Sequence, residues 1–255
     1  MTTLTLLTKI NNRRQLKQLD QILRAEFEGL EVEAKILGTV GDRWAQLALI
    51  GEDENIAASY ILKEIGVCPT DIEKIRGLSV LKGFVRDFEQ GAEALSVDVG
   101  IFKPKVVRAT LSLNHLQRSL LEGKKVGLER LAKLFGLCPD LPINVRTVRL
   151  DEKRALIEAE LAEEQRCIYR SWLESLLDRL IVLGSPLSEI KKTLKHAKLE
   201  RDVINVESLG IFEHVLICKL GTDAAGLVPR IGRKLREAKF AVFNPQRLRN
   251  SLECF

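Results

Sequence analysis

The 255-residue sequence predicts an α+β protein: a central OB-type β-barrel with a helical insertion, flanked by two small α/β domains. Three observations predict it. Between Gly77 and Gln165 the expected order is three strands (77–88, 94–102, 106–113), a helical stretch (114–135) and two strands (143–150, 155–161), which is the order of an OB barrel. Residues 1–72 read as strand-helix-strand-strand-helix. From residue 167 onward, helical and strand patterns alternate and end in a strand. The expected domains are therefore 1–72, 73–166 and 167–255.

The elements follow in order. Thr3-Leu-Thr-Leu-Leu-Thr-Lys-Ile alternates as a strand. Leu16, Leu19, Leu23 and Phe27 recur at helical spacing over 13–28, with Gly29 as the expected stop. Strands over 32–38 and 45–50 flank a turn at Gly41-Asp42, and a helix over 55–65 ends at Gly66. Residues 69–74 are the expected junction with the barrel. Beyond it, Ile168, Trp172, Leu176, Leu177 and Leu180 predict one helix over 167–183, stopped by Gly184. Ser185-Pro-Leu-Ser-Glu opens the next helix, running to Lys198. Residues 203–209 and 214–220 predict a β-hairpin around Gly210, followed by a loop (221–226), a helix (227–237) and a last strand, Lys239-Phe-Ala-Val-Phe.

Composition narrows the partners. A hydrophobic fraction of 45% and a charged fraction of 29% are those of a soluble globular protein. No run of about 18 apolar residues is present, so no spanning helix is expected. The N-terminus lacks the basic start and apolar core of a signal peptide, and the expected location is cytoplasmic. The net charge of +5 permits a polyanionic partner without requiring one. Cys68, Cys138, Cys167, Cys218 and Cys254 form no C-x-x-C pair and are read as reduced, mostly buried side chains. His115, His196 and His214 are not at metal-ligand spacing, so no metal and no cofactor are expected.

Single-stranded nucleic acid binds OB faces through basic groups along its backbone and aromatic groups under its bases. The barrel region supplies Lys82, Arg86, Lys103, Lys105, Arg108, Lys124, Lys125, Arg146, Arg149, Lys153 and Arg154, but only Phe84, Phe88 and Phe102 as aromatics. The odd separation of Arg146 and Arg149 puts them on opposite faces of a regular strand. Near the C-terminus, Arg230, Arg233, Lys234, Arg236 and Lys239 form one basic cluster. Lys191, Lys192, Lys195 and Lys198 form another on a helix, read by default as a solvated face. Gly221-Thr-Asp-Ala-Ala-Gly lies between a strand and a helix. It allows either a phosphate held on the helix N-terminus or a plain turn capped by Asp223 or Thr222. No G-x-S-x-G, H-E-x-x-H or P-loop motif is present.

Three segments carry a resemblance to a known family. Asp98-Val-Gly-Ile-Phe-Lys-Pro, Phe135-Gly-Leu-Cys-Pro-Asp-Leu-Pro and Leu220-Gly-Thr-Asp-Ala-Ala-Gly-Leu-Val-Pro-Arg-Ile-Gly make the chain similar to an uncharacterised archaeal protein family, a domain of unknown function. Lys82-Gly-Phe-Val-Arg-Asp-Phe, Leu95-Ser-Val-Asp-Val-Gly-Ile and the run from Val145 to Leu161 resemble an RNA-binding OB domain of ribosomal-protein-S-one type. That resemblance covers the middle third. It departs where Leu95, Ser96 and Val97 stand in place of the usual aromatic, and in the length of the helical insertion. The family resemblance implies an archaeal cytoplasmic protein with no established activity, and the OB-domain resemblance implies RNA binding.

The expected function is non-catalytic RNA binding in archaeal translation or RNA metabolism. Lys103, Lys105, Arg108, Arg146, Arg149, Arg230, Arg233 and Lys234 are the predicted nucleic-acid-binding residues, acting by charge neutralisation rather than base readout. The alternative is a protein-interaction adaptor of ribosomal or transcription machinery. An enzyme ranks third, and no catalytic residue is predicted.

Overall fold

The computed structural model describes residues 1–75, 77–152 and 154–253. They form two compact units: Met1–Ile75 with Val99–Val107, and the remainder. None of the described helices is long and apolar enough to cross a membrane.

The first unit follows the expected strand-helix-strand-strand-helix order. It contains β1 (Thr2–Lys9), α1 (Arg13–Glu26), β2 (Val32–Val40), β3 (Trp44–Gly51) and α2 (Glu54–Tyr60), which runs on into a π-type turn, Ile61–Ile65. Asn12 caps α1 by accepting from the Gln15 N–H at 2.9 Å. The helix buries Leu19 and Leu23 completely, and the antiparallel sheet β1-β3-β2 buries Leu6, Trp44, Leu47 and Leu49. Lys9 is also buried here, its ammonium 3.1 Å from Asp42 and 4.9 Å from the centre of the Trp44 ring. A two-residue strand, β4 (Thr70–Asp71), pairs in parallel with Ile101 and Lys103 of a later strand.

The barrel is built from β5 (Val80–Val85), β6 (Ala94–Lys103), β7 (Val107–Ser112), β8 (Pro142–Asp151) and β9 (Leu156–Leu161). The strands run β6-β5-β8-β9-β7, and β6 also pairs with β7, which closes the barrel. The β7–β9 pair is parallel, as an OB-like order of strands requires. Side chains alternate inward along each strand: Val97 and Val99, Ala109 and Leu111, Ile143 and Val145, Ile157 and Ala159 fill the interior. The helical insertion is not one helix. Glu122 adopts a left-handed conformation (φ 54°) and splits it into α3 (Leu113–Leu121) and α4 (Leu128–Phe135).

The C-terminal part comprises α5 (Glu163–Glu174), β10 (Arg179–Leu183), α6 (Leu187–His196), β11 (Val203–Ser208), β12 (Glu213–Cys218), α7 (Ala224–Gly232), β13 (Lys239–Phe243) and α8 (Pro245–Glu253). The single helix expected over 167–183 is thus corrected to a helix followed by a strand. Leu176, at φ 57°, ends the helical run, and the Arg179 guanidinium donates to the carbonyls of Trp172 and Leu177 at 3.2 and 2.8 Å. Arg-Leu-Ile-Val-Leu is buried on both faces, so its periodicity does not distinguish strand from helix. The helix expected over 227–237 starts earlier and stops at Gly232, and α8 was not expected.

Strands β10 to β13 form an antiparallel sheet in the order β11-β12-β10-β13, with α6 and α7 as crossovers, a split βαβ arrangement. Leu180, Val182, Leu216 and Cys218 of one sheet face pack with Ile190, Leu194, Leu227 and Ile231 of the two helices. The opposite face is covered too. Phe243 meets Trp172, Tyr169 and Phe135 with ring centres 5.4, 6.3 and 6.3 Å away. Gly136 lies so close that a Cβ there would come 2.8 Å from Ile181 Cδ1.

Candidate nucleic-acid interface

The barrel arginines face carboxylates. On β8 and β9, Arg146 stands directly opposite Glu160 and Arg149 opposite Glu158. Arg146 Nε donates to Glu160 Oε1 at 2.7 Å, and Arg149 Nη1 is 3.8 Å from Glu158. His115 Nε2 lies 3.4 Å from the other Glu160 oxygen, and burial holds this imidazole below its usual pKa against the pull of Glu160. The separation of Arg146 and Arg149 is corrected here. The ladder slips by one residue between Thr147 and Arg149, so two arginines three apart face two glutamates two apart. Arg108 is exposed on β7, which borders β9 on its other side. The outward face of β7-β9-β8 therefore alternates in sign instead of forming a positive stripe.

The three barrel aromatics differ in exposure: Phe84 and Phe102 are taken up in packing, whereas Phe88 is half-buried beside cations. Phe84 is buried. Phe102 packs over Gly41, where an added Cβ would meet its ring at 2.9 Å. Phe88 lines a cavity of about 480 Å³ with Lys133 and Arg247. Lys103 and Lys105 are exposed at the end of β6 and just after it, in the first unit. Lys153 and Cys254 lie outside the described residues. Among the four described cysteines Cys68 and Cys218 are buried, whereas Cys167 is exposed.

The C-terminal cations come together. Arg230 of α7 donates to the Ala197 carbonyl at the end of α6 (3.0 Å) and pairs with Asp202 at 3.5 Å. This contact joins the two basic clusters into one helical layer. Lys191, Lys192, Lys195 and Lys198, absent from the predicted set, lie on the same layer as Arg230, Arg233 and Lys234, and all seven side chains are exposed. The signal for them was available, since two basic clusters within one short domain invite the question whether the fold brings them together. A groove of about 470 Å³ runs between α6 and the edge strand β11, lined by Lys191, Lys192, Lys195 and exposed Ile204 among others.

The N-terminus of α7 does not offer free amides. Asp223 accepts from the N–H groups of Ala225 and Gly226 at 3.0 and 3.1 Å, and Asp178 accepts from Ala224 at 3.2 Å. The turn is therefore the capped one, with carboxylates where a phosphate would sit. The covered sheet face likewise rules out base binding on an open four-stranded sheet, the mode of RRM domains. Among the described residues, no group of three or more His, Cys, Asp and Glu could hold a metal ion.

Family models describe three matched segments: the DUF2110 N-terminal domain over residues 3–71, the DUF2110 central domain over 78–173 and the DUF2110 C-terminal domain over 177–243. No curated protein matches the chain. Among solved structures, a protein from vaccinia virus (Wisconsin strain) is 18% identical, with 34% of this chain and 89% of that chain covered and a TM-score of 0.23. The intact alpha subunit of aIF2 from Pyrococcus abyssi is 9% identical, with 66% of this chain and 96% of that chain covered and a TM-score of 0.28.

Proposed function

The chain belongs to the DUF2110 family, and we propose that it is a non-catalytic RNA-binding protein of archaeal translation or RNA metabolism that grips phosphates through its C-terminal helical layer. One observation carries the reading: Arg230, bonded to the Ala197 carbonyl, unites the cations of α6 and α7 on a single exposed layer. Residues 177–243 hold 12 Lys and Arg against 8 Asp and Glu, so the layer lies in a domain of positive charge. Such contacts supply affinity without sequence preference. Arg146 and Arg149, held by Glu160 and Glu158, are secondary on this reading, and Arg230 is a structural tie as much as a contact.

The test is RNA binding across a salt series with nucleic acid carried over from purification removed. Wild type is expected to show a log-linear fall of affinity with salt. In Lys191→Glu/Lys195→Glu and in Arg233→Glu/Lys234→Glu, affinity is expected to drop at least about tenfold. The slope should shrink by about 0.7 for each single-strand phosphate that the variant no longer neutralises. All four positions are exposed, so the variants should keep wild-type circular dichroism. No binding at about 50 mM salt, where such contacts are strong, would overturn the proposal.

A second reading is supported by one observation. Leu78 just before β5, Val80 of β5 and Val148 of β8 are exposed apolar side chains, and Val80 stands opposite Arg146. A protein adaptor would dock there. Failure of Val80→Lys to hold a captured partner, with RNA binding absent, would favour it.

A further inference from the structure

The sheet of the first unit ends at β2, a nine-residue strand that among the described residues has a neighbouring strand on one side only. Its outer edge carries unpaired backbone donors and acceptors, the usual template for a further strand. A groove of about 550 Å³ between α1 and residues 33–38 runs beside it, so the helix leaves room along the strand. The ladder with β3 is regular from Val32 to Ile36 and slips between Ile36 and Gly38. The straight part of the edge is therefore Val32-Glu-Ala-Lys-Ile.

This segment complements itself. Val32, Ala34 and Ile36 are half-buried and share one face, while Glu33 and Lys35 are exposed on the other. Neither charge has an ion-pair partner among the described residues. We infer that β2 pairs antiparallel with β2 of a second copy of this chain, centred on Ala34, to give one six-stranded sheet. Each Glu33 then stands opposite the partner's Lys35, and each Val32 opposite the partner's Ile36. Ala34 faces its own counterpart on the two-fold axis, as an isologous interface requires.

The register is selective. Moving the centre to Lys35 sets lysine against lysine, and moving it to Glu33 sets glutamate against glutamate. Like charges directly opposite each other destabilise an antiparallel pair. A shift of the pairing by one residue sets a charged face against the apolar one. Only the centre at Ala34 satisfies both faces.

The test is sedimentation equilibrium of the full-length protein from low micromolar to several hundred micromolar, at low salt. Wild type is expected to dimerise reversibly within this range, because a strand-edge interface is small. Lys35→Glu and Glu33→Lys each put two like-charge pairs in place of two opposite ones and should raise the dissociation constant by about tenfold. The double variant Glu33→Lys/Lys35→Glu restores both pairs and should return to within about threefold of wild type. Both residues are exposed, so circular dichroism should match wild type in all three. A protein that stays monomeric throughout overturns the proposal. So do single variants that dimerise as tightly as wild type, and a double variant that fails to recover.

Discussion

Replacing Phe243 by alanine is expected to lower the stability of the second unit by about 3–5 kcal/mol, the range for deleting a fully buried phenyl ring. Phe243 lies on β13 and is wholly buried. Its ring meets Phe135 of α4 and Tyr169 and Trp172 of α5, and Tyr169 and Trp172 meet edge-to-face at 5.4 Å. Arg179 of β10 adds its guanidinium 5.2 Å from the Trp172 ring centre. One side chain therefore binds the insertion of the barrel, the helix after it and the C-terminal sheet. The fluorescence of two tryptophans separates the effects, because Trp44 belongs to the first unit and Trp172 to the second. Urea unfolding followed on a Trp44→Phe background should show the whole destabilisation at Trp172. A decrease below about 1.5 kcal/mol, well short of the range for such a deletion, would mean that the cluster closes over the gap and that Phe243 does not bind the three elements together.

Unfolding free energy is expected to fall by roughly 3 kcal/mol between pH 5 and pH 7 through Glu213 alone. This carboxyl is fully buried, and burial pushes its pKa up to about 8. The Phe212 N–H and the Lys82 ammonium oppose that shift, and Asp140 reinforces it. In the unfolded chain the same group titrates near about 4.3. Between these two values the folded protein holds a proton that the unfolded chain has released, so rising pH favours unfolding across that window. Lys82, itself shifted down by burial, donates to the Leu209 carbonyl beside the turn. A Cβ at Gly210 would lie 2.3 Å from Glu213 Oε2, so a side chain there would displace this carboxyl. Calorimetry of Glu213→Gln, whose amide carries no titratable proton, should remove this part of the pH dependence. An unchanged slope in the variant would show that Glu213 does not carry it.

The sequence was most legible where local periodicity matches local structure. The strand-helix-strand-strand-helix order of the first unit, the order of the five barrel strands and the strand at Lys239–Phe243 could all be read from alternation, helical spacing and turn residues. It was least legible at Arg179–Leu183. Five buried residues in a row have no polar side to reveal a period, and the preceding helix supplied a misleading one. The reading of Arg146 and Arg149 failed for a related reason, since a bulge adds one residue to a strand and leaves no mark in composition.

What the sequence by itself determined was much of the inventory: most of the strands and helices, the chain order of the five barrel strands, and the concentration of basic residues near the C-terminus. The tertiary structure alone decided which of those charges are free to act. Glu158 and Glu160 meet the barrel arginines, while Arg230 reaches across to α6 and gathers the exposed lysines and arginines into one layer. The reason is physical. Periodicity is a property of neighbours along the chain, whereas ion pairing and burial depend on side chains that are distant in sequence and meet only when the strands and helices pack.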